Sequence, residues 1–133
     1  MTSNIILEGI NEATENINLR HDFLINHATD QLFYLDEIME KMSCGCLVLV
    51  KETYYNILML EFETYLILKA IKYNGNAINV DDSTVEIIKC NCDDLLERIN
   101  KIKELQEKKV EKISHSDFQR MVNNEFDVDL GAL

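Results

Sequence analysis

The stretch Ser83–Ile102 reads STVEIIKCNCDDLLERINKI. Its residues Val85, Ile88, Cys92, Leu95, Ile99 and Ile102 follow one another at gaps of 3 and 4. An α-helix turns once in 3.6 residues, so this spacing sets the six side chains in one stripe, the a/d seam of helices that pack side by side. A half-buried strand would instead alternate every second residue. A helix is expected over 83–113, beginning near Asp82 or Ser83. Ser83 followed by Glu86 has the form of a capping box. Past Ile102 the stripe steps round to Leu105, Val110 and Ile113. The segment 97–112, ERINKIKELQEKKVEK, has the charge density of a solvated helix or a coiled-coil extension.

The same period runs through the first segment. Ile6, Ile10, Ala13, Ile17, Leu24, Ala28, Leu32, Leu35, Met39 and Met42 trace one face, with a single gap of seven between Ile17 and Leu24. This predicts a helix over 4–43, with Ser3 as its cap and a bend at Gly9 or within the polar stretch Asn16–Asp22. A second helix is expected over 46–73. Leu47, Val50, Tyr54, Leu58, Glu61, Tyr65 and Leu68 form one stripe, while Ile57, Leu60, Phe62, Leu66 and Ile67 make much of the remaining circumference apolar. A helix apolar nearly all round is expected at the centre of its bundle. Taken alone, Leu47–Val50 also suits a strand. Asn74-Gly75 is a helix stop, with glycine suited to the left-handed conformation. Residues 116–124 suit a short fourth helix capped by Ser116, with Phe118, Met121 and Val122 docking. The fold class is therefore all-α: an antiparallel bundle of three long helices plus a short C-terminal helix, with coiled-coil-like seams. Residues 1–124 form one helical domain and 125–133 an acidic-hydrophobic tail.

Composition supports this. The chain has 133 residues, 47% of them hydrophobic, enough for a packed core. It contains no proline, which an all-β domain uses in turns and at edges. The net charge of −11 disfavours phosphate backbones and anionic membrane surfaces. Residues 1–46 hold eight carboxylates against Arg20 and Lys41, whereas 98–112 is locally basic and is expected to face the acidic first helix. The most apolar stretch, 46–73, is interrupted by Lys51, Glu52, Glu61, Glu63, Lys69 and Lys72, so membrane insertion is not expected. Without a basic leader ahead of an apolar run, the four cysteines are expected as reduced thiols of a cytoplasmic or nuclear protein.

Those cysteines sit as Cys44-Gly45-Cys46 and Cys90-Asn91-Cys92. Tetrahedral zinc draws its ligands to one point about 2.3 Å from sulfur. On a helix Cys90 and Cys92 diverge by about 200°, and in an up-down-up bundle Cys44 and Cys46 lie at the far end. No metal and no cofactor is expected. Cys92 is a small core residue, and Gly45 breaks the first helix so that the chain can reverse. His21, His27 and His115 lack a second ligand at helical spacing. Asp81-Asp82 and Asp93-Asp94 are adjacent carboxylates that diverge on a helix. No phosphate loop, dinucleotide fingerprint, nucleophile elbow or zinc-protease motif is present.

The expected function is accordingly non-enzymatic: a helical protein–protein interaction module, such as a small subunit or adaptor of a multiprotein assembly. One alternative is a compact viral or cellular modulator that takes an amphipathic helix in an apolar groove. Another is a ligand-binding bundle or an enzyme with a buried pocket. Self-association is expected because the first helix outruns the second and leaves part of its seam uncovered. The partner-binding candidates are Leu32, Leu35 and Met39 on the first helix, Leu95, Ile99 and Ile102 on the third, and Phe126, Val128 and Leu130 in the tail.

Overall fold

A computed structural model describes residues 2–45 and 48–112. Every regular element among them is helical: α1 (Thr2–Ser43), α2 (Lys51–Tyr73), a single 3₁₀ turn (Gly75–Ala77) and α3 (Asp82–Lys112). The expected fourth helix over 116–124 and the tail with Phe126, Val128 and Leu130 lie outside the described residues.

The three helices run up, down and up. Asn18 meets the segment around Asn79, and further along α1 Asp36 meets Arg98, so α1 and α3 advance together. α2 runs against both: its C-terminal Asn74 lies beside Asn11 and Thr14, while Glu61 reaches Lys103. The most extensive packing is between α1 and α3. The α3 seam is the spine of the core, with Ile88, Cys92, Leu95, Ile99 and Ile102 all buried.

α1 is bent. Arg20 leaves helical geometry at φ −139°, ψ 30°. The bend falls inside the polar stretch 16–22, where the apolar stripe skips a turn and no side chain between Ile17 and Ala28 is fully buried. The core divides accordingly. One cluster joins Ile10, Ala13 and Ile17 to Ala70, Ile88 and Cys92. The other joins Ala28, Leu35, Ile38 and Met42 to Leu49, Ile57, Leu95, Ile99 and Ile102.

Polar side chains of α1 hold the α2–α3 connection at the bend. The Asn18 amide acts as a surrogate peptide group: Nδ2 donates to the Ala77 carbonyl (2.9 Å) and Oδ1 accepts from Asn79 N–H (2.7 Å). Asn74 Nδ2 donates to Thr14 Oγ1 (3.0 Å) and Asn11 Oδ1 (3.2 Å). Asn18→Ala removes two hydrogen bonds to backbone and is expected to cost about 1–2 kcal/mol, read from urea denaturation. A cost indistinguishable from zero would show that this clamp contributes nothing.

Three local expectations change. α2 begins at Lys51 rather than 46, and residues 48–50 belong to no regular element, with Val50 extended at φ −73°, ψ 158°. Leu49 is buried in the second cluster, and its carbonyl accepts from Gln106 Nε2 (3.3 Å). These contacts tie the segment to the core and to α3. Gly75 does not take the left-handed conformation, because the chain passes from Asn74 directly into the 3₁₀ turn; the positive φ belongs to Gly45, at 80°.

The cap of α3 is Asp81, not Ser83. The Asp81 carboxylate accepts from the hydroxyls of Ser83 and of Thr84 (2.6 Å), and its carbonyl accepts from Val85 N–H (3.1 Å). The Ser83 and Thr84 hydroxyls, in that order, hold the Asp81 carboxyl below its usual value of 3.8. A carboxyl with a lowered folded pKa stabilises the fold above its unfolded pKa and loses that contribution as the pH falls through the folded value. The melting-temperature gap between wild type and Asp81→Ala is therefore expected to stay constant from neutral pH to about 4 and to shrink below it. A gap that widens in acid would contradict this linkage.

Candidate interaction surfaces

α2 is not the central helix. Of its residues Ile57, Thr64 and Ala70 are buried, with Tyr54, Leu58, Leu60, Leu66, Ile67, Leu68 and Ile71 partly so. α1 and α3 cover that inner side, and the opposite side faces outward. On it stand Tyr55 (59% exposed), Met59 (54%), Phe62 (42%), Tyr65 (43%) and Tyr73 (62%). Tyr55, Met59, Phe62, Lys69 and Tyr73 share this side at helical spacing, and Leu66, between them in register, packs inward against Gly9 of α1. Lys69 is the one charge on this stripe, and its Nζ lies 5.9 Å from the centre of the Tyr73 ring, with Lys72 Nζ at 5.2 Å. The flanking carboxylate Glu61 is tied by Lys103 Nζ (3.2 Å), a hydrogen bond that raises the lysine's pKa.

An aromatic side chain contributes roughly 200 Å², so four rings about half exposed present about 400 Å² of apolar area. The largest apolar patch on a typical monomer is about 300–600 Å² and is often functional.

The residues expected to bind a partner fall elsewhere. Leu35, Leu95, Ile99 and Ile102 are buried inside the chain, and Leu32 and Met39 pack against the same cluster. The first helix does outrun the second, but α3 runs alongside it and Leu49 fills the end, so of these six only Leu32 and Met39 keep part of their surface exposed. They hold the bundle together rather than offering a surface. The locally basic stretch faces both neighbours: Arg98 Nε pairs with Asp36 of α1 (2.6 Å), and Lys103 with Glu61 of α2.

A second apolar concavity lies at the other end of α1. Tyr34, Ile38, Val48, Leu49, Val50 and Thr53 line an open groove of about 300 Å³. A smaller cavity of about 70 Å³ opens between the two core clusters, beside Ala28, Thr64, Ile88 and Cys92. The Thr64 hydroxyl donates to the Leu60 carbonyl (2.7 Å), so it presents no spare donor there.

No group of three or more His, Cys, Asp or Glu side chains converges among the described residues. Cys44 is exposed at the α1–α2 corner, where its thiol donates to the Lys41 carbonyl (3.3 Å). Cys90 is exposed on α3, and Cys92 is buried in the cluster at the opposite end from that corner. Burial, assisted by Asp93, pushes the Cys92 thiol up to about 12, which keeps it protonated and unreactive at neutral pH. No described helix is long and apolar enough to cross a membrane.

Fold and surface together define a three-helix bundle whose middle helix turns an apolar face to solvent. The chain matches no protein-family model, no curated protein and no solved structure.

Proposed function

We propose that this chain is a non-enzymatic protein–protein interaction module, a small helical subunit or adaptor whose binding element is the outer face of α2. The observation behind this reading is the exposed stripe Tyr55, Met59, Phe62 and Tyr73 with Tyr65 beside it. Tyrosine and phenylalanine supply large contact areas at low entropy cost and are enriched at interfaces. The chain's −11 charge adds a preference for partners that are neutral or basic around their contact surface.

The test compares the wild-type chain with Tyr55→Asp/Phe62→Asp as bait in lysate of the organism that encodes it. Both baits should melt at similar temperatures, since neither side chain is buried. Protein capture is expected for the wild type and not for the variant. Equal capture by both baits would remove α2 as the binding element.

A further inference from the structure

We propose that the elbow of α1 holds a binding site for a primary amine, with its ammonium head at the rim and an apolar tail inside. The proposal goes beyond the interaction module and does not rest on it.

Three observations carry it. The first is the shape of the space. Ala13 and Asn16 stand before the bend at Arg20 and Leu24 after it, yet all three line one open pocket with Leu66 and Ile67 of α2. Its volume is about 370 Å³, inside the roughly 300–1,000 Å³ range of small-molecule sites. Behind it lies the cavity of about 70 Å³ beside Ala28, Thr64 and Cys92. The two share Leu24, Glu63 and Ile67, so a narrow apolar tail entering the outer pocket has room to continue inward.

The second observation is charge. Glu12 and Glu63 both line the outer pocket, and no lysine or arginine lines either space. Among the described residues neither carboxylate is in an ion pair. The apolar groove at the other end of α1 differs here, since its Glu37 is already paired with its own Lys41 (3.1 Å). A concave site lined by one sign of charge over an apolar floor draws in the opposite charge and repels its own.

The third observation is the set of acceptors. Asn16, about one turn from Glu12 on α1, makes no side-chain hydrogen bond to a described residue. Two carboxylates and an amide oxygen offer acceptors for the three N–H donors of a primary ammonium. A quaternary ammonium has no such donor. An alkylamine is protonated at neutral pH, as lysine is.

The probe is n-octylamine, titrated at neutral pH into the full chain and followed by calorimetry. Saturable binding is expected with a dissociation constant of about 1 mM or below, the scale for a ligand this small. Octanoate is expected not to bind, and octyltrimethylammonium to bind about tenfold more weakly, for want of charge-assisted hydrogen bonds. Glu12→Gln/Glu63→Gln is expected to weaken n-octylamine binding by about tenfold, roughly threefold for each solvated ion pair. Glu40→Gln/Glu86→Gln removes the same charge away from the pocket and is expected to leave the affinity unchanged. All four side chains are exposed, so both variants should melt like the wild type. Amide shifts in heteronuclear NMR spectra should centre on residues 12–16, 24 and 63–67. Absence of saturation by about 10 mM overturns the proposal, as does equal binding of octanoate. Equal loss in the two double variants also overturns it, by showing general attraction to an acidic chain. Shifts centred on the groove at Tyr34 and Val48 overturn the position, and equal binding of octyltrimethylammonium overturns the choice of a primary amine.

Discussion

Ile99→Ala is expected to lower the free energy of unfolding by about 2–5 kcal/mol, the range for removing a large aliphatic side chain from a packed core. Ile99 has no exposed surface and sits in the cluster that joins Leu35 and Ile38 of α1 to Ile57 of α2. All three helices meet there, so no single one can move to close the space left behind. A domain of this size holds only about 5–15 kcal/mol in total, and the variant should unfold at a visibly lower urea midpoint. Leu19→Ala provides the contrast. Leu19 is 73% exposed, and its replacement is expected to change stability by no more than about 0.5 kcal/mol. If the two variants unfold together, the α3 seam is not the centre of the core.

Gly45→Val is expected to cost about 2 kcal/mol. Gly45 ends α1 at φ 80°, a conformation in which a Cβ meets the following carbonyl and a β-branched side chain is worse still. The turn is closed by Gly45 N–H to the Met42 carbonyl (3.1 Å) and Cys44 N–H to the Glu40 carbonyl (3.2 Å), so the strain cannot be relieved without opening the end of α1. Leu49, just beyond, must still reach the core. Gly75→Ala is the control: its φ is not in the left-handed region and an added Cβ meets nothing within 4 Å. That change is expected to stabilise the chain by about 0.4–1 kcal/mol through the unfolded state. Denaturant melts of the two variants should move in opposite directions. A destabilised Gly75→Ala would mean that the 3₁₀ turn constrains this position more than its backbone shows.

Three helices, the reversal at Gly45, the core role of Cys92 and the weak point in residues 16–22 were all legible from the sequence. Each rests on near neighbours in the chain. The stripe Ile88–Ile102 is a helical face in any surroundings because its period is local. The skipped turn between Ile17 and Leu24 marks where α1 sends no apolar side chain fully into the core, and Arg20 bends there. The start of α3 was found to within a residue, but its cap was not. Asp81, Ser83 and Thr84 are all capping types, and which one accepts depends on the path of the preceding loop, itself held by Asn18.

The candidate surface was not legible, and the reason is geometric. Sequence shows that a face is apolar but not whether a neighbour covers it. On α1 and α3 the stripes holding Leu35 and Ile99 looked available, and each turned out to cover the other. On α2 the apolar residues run nearly all round, which suggested a central helix. Yet two neighbouring helices cannot cover a whole cylinder, and in this bundle they cover Ile57, Thr64 and Ala70, with Leu66 against Gly9 of α1. Burial of apolar surface is non-directional, so nothing local to α2 selects which side is buried. The periodicity of the sequence determined three helices and their seams by itself. Only their packing decided that Phe62, Tyr55 and Tyr73 face water, because that depends on where α1 and α3 lie.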